Sequence, residues 1–143
     1  MLHRSAAAVV AAALLGFGCS SPAKPGSPDI SALQGIWASS VPADLPSGCT
    51  DFTWSVTNIT GNTGSGTFKA ACAGFQVNGS ASGTLEGSTV TWSANASLTG
   101  PGGFTCPIAL TGTATFDGTE LVIPYSGTAC FVAVSGTEHL KKK

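Results

Sequence analysis

"TVTWSANASL", Thr89 to Leu98, alternates apolar and polar residues without a break. Val90, Trp92, Ala94, Ala96 and Leu98 fall on one side of an extended chain, and Thr89, Thr91, Ser93, Asn95 and Ser97 on the other. Successive side chains of a β-strand point to opposite faces of its sheet, so a period of two describes a strand with one buried and one wet face.

The same period recurs on both sides of this stretch. Phe52, Trp54 and Val56 alternate with Thr53, Ser55 and Thr57; Phe68 with Ala70, Phe75 with Val77, and then Ile108, Leu110, Ala114 and Phe116, and Leu121, Ile123 and Tyr125 continue it. Clusters of Gly, Asn, Asp and Pro interrupt these runs at short, fairly even intervals. The pattern predicts about eight strands, near residues 34–40, 51–60, 65–72, 74–85, 88–98, 106–116, 119–126 and 129–138. A single helical turn is expected at "PDISAL", Pro28 to Leu33. Short strands joined by tight turns form an antiparallel up-and-down meander. Closing it into a small barrel removes its exposed edges, and a two-sheet β-sandwich is the alternative all-β architecture.

The 143 residues suffice for one domain, here expected over residues 30–140, with Lys141 to Lys143 as a solvated basic tail. At 43% hydrophobic and a formal charge of -1 the chain should fold, and it lacks the basic surface that nucleic acid requires.

The first eighteen residues read as an export signal: a weakly basic start at His3 and Arg4, then an uncharged run from Ser5 to Gly18 that is too short to cross a bilayer. Five cysteines leave one without an intramolecular partner. Cys19 follows the apolar run directly, and "SSPAKPGSPD", Ser20 to Asp29, reads as a flexible linker. Cys49, Cys72, Cys106 and Cys130 remain, an even number in an exported chain. Asp117-Gly118 lies midway between the last two and Thr60-Gly61 midway between the first two, so the expected bridges are Cys49 with Cys72 and Cys106 with Cys130, each closing a hairpin. A two-residue Asp117-Gly118 turn would set Phe116 against Thr119, Leu110 against Tyr125 and Cys106 against Ala129, with a bulge near Gly127 bringing Cys130 into line.

"LLGFGC", Leu14 to Cys19, resembles the lipobox of bacterial lipoproteins, in which a small residue precedes a cysteine that is lipidated and becomes the new N-terminus. The resemblance implies a lipid anchor at Cys19. Ser20, in place of the Asp that retains many lipoproteins at the inner membrane, points to the outer membrane. Cleavage after Ala23 instead would discard Cys19 and secrete the protein.

"LQGIW", Leu33 to Trp37, resembles the first strand of calycins, the lipocalin and avidin group of up-and-down barrels. The resemblance implies that Gly35 and Trp37 open the barrel and that Trp37 plugs one end. Lipocalins set a basic side chain from the last strand across this Trp, and no Arg stands in that part of the chain. "SGTFKA", Ser65 to Ala70, and "VTWSAN", Val90 to Asn95, look like avidin strands. Phe68 occupies the place of a hydrogen-bonding Tyr, however, and no Trp follows Trp92, so biotin is not the expected ligand.

Catalytic signals are sparse. His139 is the one histidine beyond the export signal, and Asp51, Glu86, Asp117, Glu120 and Glu138 fall where strand ends and turns are expected, positions at which charges are ordinarily solvated. No nucleophile elbow and no closely spaced metal ligands occur, so neither catalysis, a cofactor nor a metal is expected. The expected function is that of a membrane-anchored envelope lipoprotein with a binding module for a small apolar ligand or a protein partner. Trp54, Trp92, Phe68 and Tyr125 are the candidate ligand-contacting residues. Calycin-like bacterial lipoproteins include protease inhibitors, which supplies one alternative; a structural envelope protein with a filled core is another.

Overall fold

The computed structural model describes residues 26–40, 49–72 and 74–143. Cys19 and most of the linker lie outside the described residues. Eight antiparallel strands follow in chain order: β1 (Gly35–Ser39), β2 (Cys49–Thr60), β3 (Thr63–Cys72), β4 (Phe75–Glu86), β5 (Thr89–Thr99), β6 (Thr105–Phe116), β7 (Glu120–Ala129) and β8 (Val132–Lys142). Each pairs with its sequence neighbours, and β8 returns to β1 through Trp37 with Lys142, Ala38 with Lys141 and Ser39 with Leu140. The meander is therefore a closed barrel, consistent with calycin-like architecture, and the sandwich alternative falls.

One end is plugged. Asp29 accepts a hydrogen bond from the Ser31 amide at 2.8 Å and starts a 3₁₀ turn over Ile30–Leu33, which tucks Leu33 into the core. Trp37 is fully buried, donates its indole N–H to the Leu33 carbonyl at 2.7 Å, and meets Phe116 edge-on at 5.6 Å. Lys142 reaches across from β8, its ammonium 5.7 Å from the Trp37 ring centre and donating to the Ala32 carbonyl at 3.0 Å. Gly35 has φ +127°, and a Cβ there would lie 2.9 Å from the Lys142 stem. Lys141 and Lys142 are thus strand residues that complete the closure, contrary to the expected tail. Lys142 sets a basic group across Trp37, where the sequence showed no Arg.

Both expected disulfides are present, Cys49–Cys72 and Cys106–Cys130, at the far end of the barrel. Cys49 and Cys72 face each other in register, after which Asp51 (φ +56°) begins an irregularity that shifts β2 by one residue against β3. The β6–β7 register differs from expectation. Phe116 pairs with Leu121 and Leu110 with Gly127, two residues beyond the expected partners, and the offset is the same at both ends of the pairing, so no bulge is inserted. The cause lies in the turn. The Asp117 carboxylate accepts from the Thr119 and Glu120 amides and from the Thr119 hydroxyl, all at 2.8 Å, which extends the loop to Asp117–Glu120. Strand β7 then runs through Gly127 to Ala129, and the chain reverses at Cys130 and Phe131, with φ +51° and +67°. The Cys130 amide donates to the Pro107 carbonyl at 3.0 Å, which together with the bridge holds this turn.

Candidate functional site

The inward positions of the barrel carry Trp37, Phe52, Trp54, Phe68, Trp92 and Tyr125 beside several glycines and alanines, and this mixture leaves the interior partly hollow. A large ring projecting from one strand needs a small neighbour on the next. A Cβ on Gly83 would lie 3.6 Å from the Trp54 ring, and one on Gly112 3.0 Å from the Trp92 indole nitrogen. Across the β7–β8 pair, the Tyr125 ring lies over Gly136. The glycines seat the aromatics while the remaining Ala and Val positions leave space.

That space has two parts. An inner chamber of about 50 Å³ is walled by Trp54, Trp92, Val90, Leu121, Ile123 and Glu138 among others. An outer chamber of about 310 Å³ lies toward the disulfide end, against Ala70, Val77, Leu98, Ile108, Val134 and the Cys49–Cys72 bridge. Phe52, Phe68, Leu110 and Tyr125 belong to both walls and form a collar between them. The rings of the collar are close: Phe52 stands 5.8 Å from Phe68 and 6.4 Å from Tyr125. All four residues expected on a cavity wall, Trp54, Trp92, Phe68 and Tyr125, are therefore brought together around the inner chamber.

Glu138 corrects the sequence reading. It stands within β8 opposite Ile123, on the same inward side as Val134 and Leu140, and is 7% exposed. One carboxylate oxygen accepts a long hydrogen bond of 3.4 Å from the Ser39 hydroxyl on β1. Burial pushes its carboxyl above the usual carboxylate value, opposed less strongly by the Ser39 hydrogen bond and by the charge of His139. His139 itself points to the outer face, where it meets Glu120 at 3.3 Å.

Three buried side-chain polar atoms lack a hydrogen-bond partner among the described residues: Trp54 Nε1, Trp92 Nε1 and Glu138 Oε1. Buried polar groups are nearly always paired, and each exception calls for a cause. All three residues line the inner chamber. Trp37, whose indole N–H is satisfied, belongs to the plug instead.

Among the described residues no group of three His, Cys, Asp or Glu side chains is placed to hold a metal ion, and no helix is long and apolar enough to cross a membrane. No protein-family model matches the chain, and searches of curated proteins and of solved structures likewise found no match.

Proposed function

We propose that this protein is an exported, lipid-anchored binding module, of calycin type, that takes one small, mostly apolar ligand into its barrel. The observation that carries the reading is an apolar barrel interior in two parts, a chamber walled by Trp54 and Trp92 joined by an aromatic collar to a larger one. Ligand sites are typically concave and mostly apolar, with a few convergent polar groups that fix orientation. The lipobox-like "LLGFGC" supports acylation at Cys19 and placement at the outer membrane, with the linker holding the barrel off the surface.

Intrinsic Trp fluorescence tests the reading, because Trp54 and Trp92 face the proposed ligand. Titration with medium-chain apolar compounds should shift and saturate the emission, and native mass spectrometry of material from the producing cell should show a retained small molecule and an acyl mass on Cys19. Emission that no apolar compound changes would remove the ligand reading, and an unacylated Cys19 would remove the anchor. A protein partner is favoured by a different observation: Phe131, at the tip of the β7–β8 turn, is 88% exposed, and Phe104 at the same end 51%. Under that reading Phe131→Ser abolishes partner binding and leaves ligand titrations unchanged.

A further inference from the structure

Resting on the reading of Cys19 as a lipid anchor, we infer that the disulfide end of the barrel is a docking face for a separate protein with an apolar, uncharged surface, and that the plugged end is turned to the membrane. Of the four exposed large apolar side chains among the described residues, Phe104, Phe131 and Val132 stand at the disulfide end and Ile36 elsewhere. Phe131 is held out by its backbone. Its φ of +67° is a left-handed conformation that bulky residues rarely adopt, and Cys130 before it is fixed by the bridge to Cys106 and by the hydrogen bond from its amide to the Pro107 carbonyl. The same bridge ties this turn to the start of β6, directly after Phe104 and Thr105, so the two exposed rings sit on covalently linked tips. Phe104 meets Phe75 edge-on at 6.3 Å, and Phe75 lines the outer chamber, so the rim is continuous with the wall of the ligand space. Residues 72–76, 99–107 and 128–134, which make the connections there, carry no charge, whereas Glu86, Asp117, Glu120 and Lys141 to Lys143 lie at the plugged end. Among the described residues Asp51 on β2 and Lys69 on β3 are the charged side chains of the disulfide half. Exposed aromatic rings in an uncharged setting have the composition of an interface core.

The length of chain before the barrel decides among the occupants of this rim. Gly26, Ser27 and Pro28 lie at the plugged end, in a groove shared with Ser88, Phe116, Asp117 and Glu120. Seven residue steps separate Cys19 from Gly26, and they reach at most about 25 Å when fully extended. Strands β4, β5 and β6 have 12, 11 and 12 residues. At about 3.3 Å per residue and the tilt of about 35–45° usual in barrels, they stand about 25–30 Å tall, with Phe104 and Phe131 on the tips beyond. A linker run back along the whole wall therefore falls short of bringing those rings to the anchoring bilayer even when taut. At the coil dimension of a flexible chain, about 15 Å, it leaves the plugged end beside the lipid and the rim about 40 Å from it. A second copy is excluded by the same geometry, since copies anchored in one membrane point their rims in one direction and do not meet rim to rim. A different protein remains, and an apolar, uncharged face is what complements these side chains.

Photo-crosslinking in the producing cell tests the inference on the full chain. The photoreactive residue p-benzoylphenylalanine replaces Phe131, Phe104 or, as a control, Asn95, which is exposed in the middle of the outer wall. Irradiation should give one and the same protein adduct from Phe131 and Phe104 and none from Asn95. That protein, identified by mass spectrometry and purified, should bind the barrel in solution, and Phe131→Ser should weaken the binding at least about tenfold, as expected of an aromatic anchor, while the melting temperature stays unchanged because the ring is exposed. Adducts of Phe131 with lipid would place the rim in a membrane and overturn the inference, and so would an adduct of twice the mass of the chain, the mark of a second copy. Labelling at Phe131 no stronger than at Asn95, or a protein that binds Phe131→Ser as tightly as the parent, overturns it too. The mass of Cys19, read on the same material, separates the two levels of the argument: an unacylated Cys19 removes the anchor and the inference with it, whereas an acylated chain whose Phe131 labels lipid overturns the docking face alone.

Discussion

Replacing Glu138 by Gln keeps the shape of the side chain and removes its charge, and the effect on stability should depend on pH in a defined direction. In the unfolded chain the carboxyl titrates near its ordinary value of about 4.3. In the barrel, burial raises it. The folded state therefore holds this proton more tightly, so the stability associated with the protonated side chain is complete below the unfolded value and is lost as pH rises through the raised folded value. One group changes stability by at most about 1.4 kcal/mol per pH unit over that window. Above it the native protein carries a buried carboxylate with one long hydrogen bond to Ser39 and one oxygen unpaired. An unsatisfied buried group costs about 1–3 kcal/mol, and more when charged. Glu138→Gln should therefore be close to neutral near pH 4 and stabilising by about 1–2 kcal/mol near pH 8. Urea unfolding of the two proteins at half-unit intervals across this range measures it. The difference between the curves isolates Glu138 from Asp29 and Asp117, whose carboxyls are lowered by hydrogen bonds from backbone amides and which titrate alike in both proteins. A difference that stays flat over the whole range, or grows toward acid, refutes the burial of Glu138.

The three tryptophans should respond to Phe substitution with opposite signs. Trp54→Phe and Trp92→Phe each remove a donor that has no partner and should leave the unliganded protein unchanged or more stable by about 1 kcal/mol in urea unfolding, whereas Trp37→Phe loses the bond to Leu33 and should cost about 1–2 kcal/mol. Lys142→Ala should cost about 1 kcal/mol through its ring and carbonyl contacts, while Lys141→Ala, which is equally exposed and loses no such contact, should be nearly silent in the same assay. Removing either bridge by a paired Cys→Ala change opens a loop of 23 or 24 residues and should lower stability by about 3 kcal/mol, read by thermal melts with and without reductant.

The barrel was legible in the sequence because period two needs no knowledge of distant contacts. Once Val90, Trp92 and Ala94 share a face, seven similar strands must bury theirs together, and closure follows from the edges. Turn chemistry located both disulfides as well. It failed at Asp117 because the Asp-Gly pair was read as a two-residue turn, while the Asp117 carboxylate binds the next two amides and lengthens the loop. Gly127, which the longer loop brings into regular pairing with Leu110 within β7, was for the same reason misread as the site of a bulge. Lys141 and Lys142 were hidden by their composition: a run of like charge resembles a tail until β1 is known to need a partner along those positions.

Glu138 is the more instructive omission. Its parity with Val134 and Leu140 marked it as inward, but the ordinary solvation of charge outweighed that signal, and Trp54 and Trp92 gave no sign that their N–H groups lack partners. Three such groups, at about 1–3 kcal/mol each, are a large share of the 5–15 kcal/mol by which a domain is ordinarily stable. Apolar replacements at these positions would give a solid barrel at lower cost, so a chain that keeps them needs compensation elsewhere. The two bridges, at about 3 kcal/mol each, are of the same order as that cost. The staples at one end and the unpaired groups beneath the collar thus enter one balance, in which cross-links offset the cost of an interior that packing leaves partly unfilled.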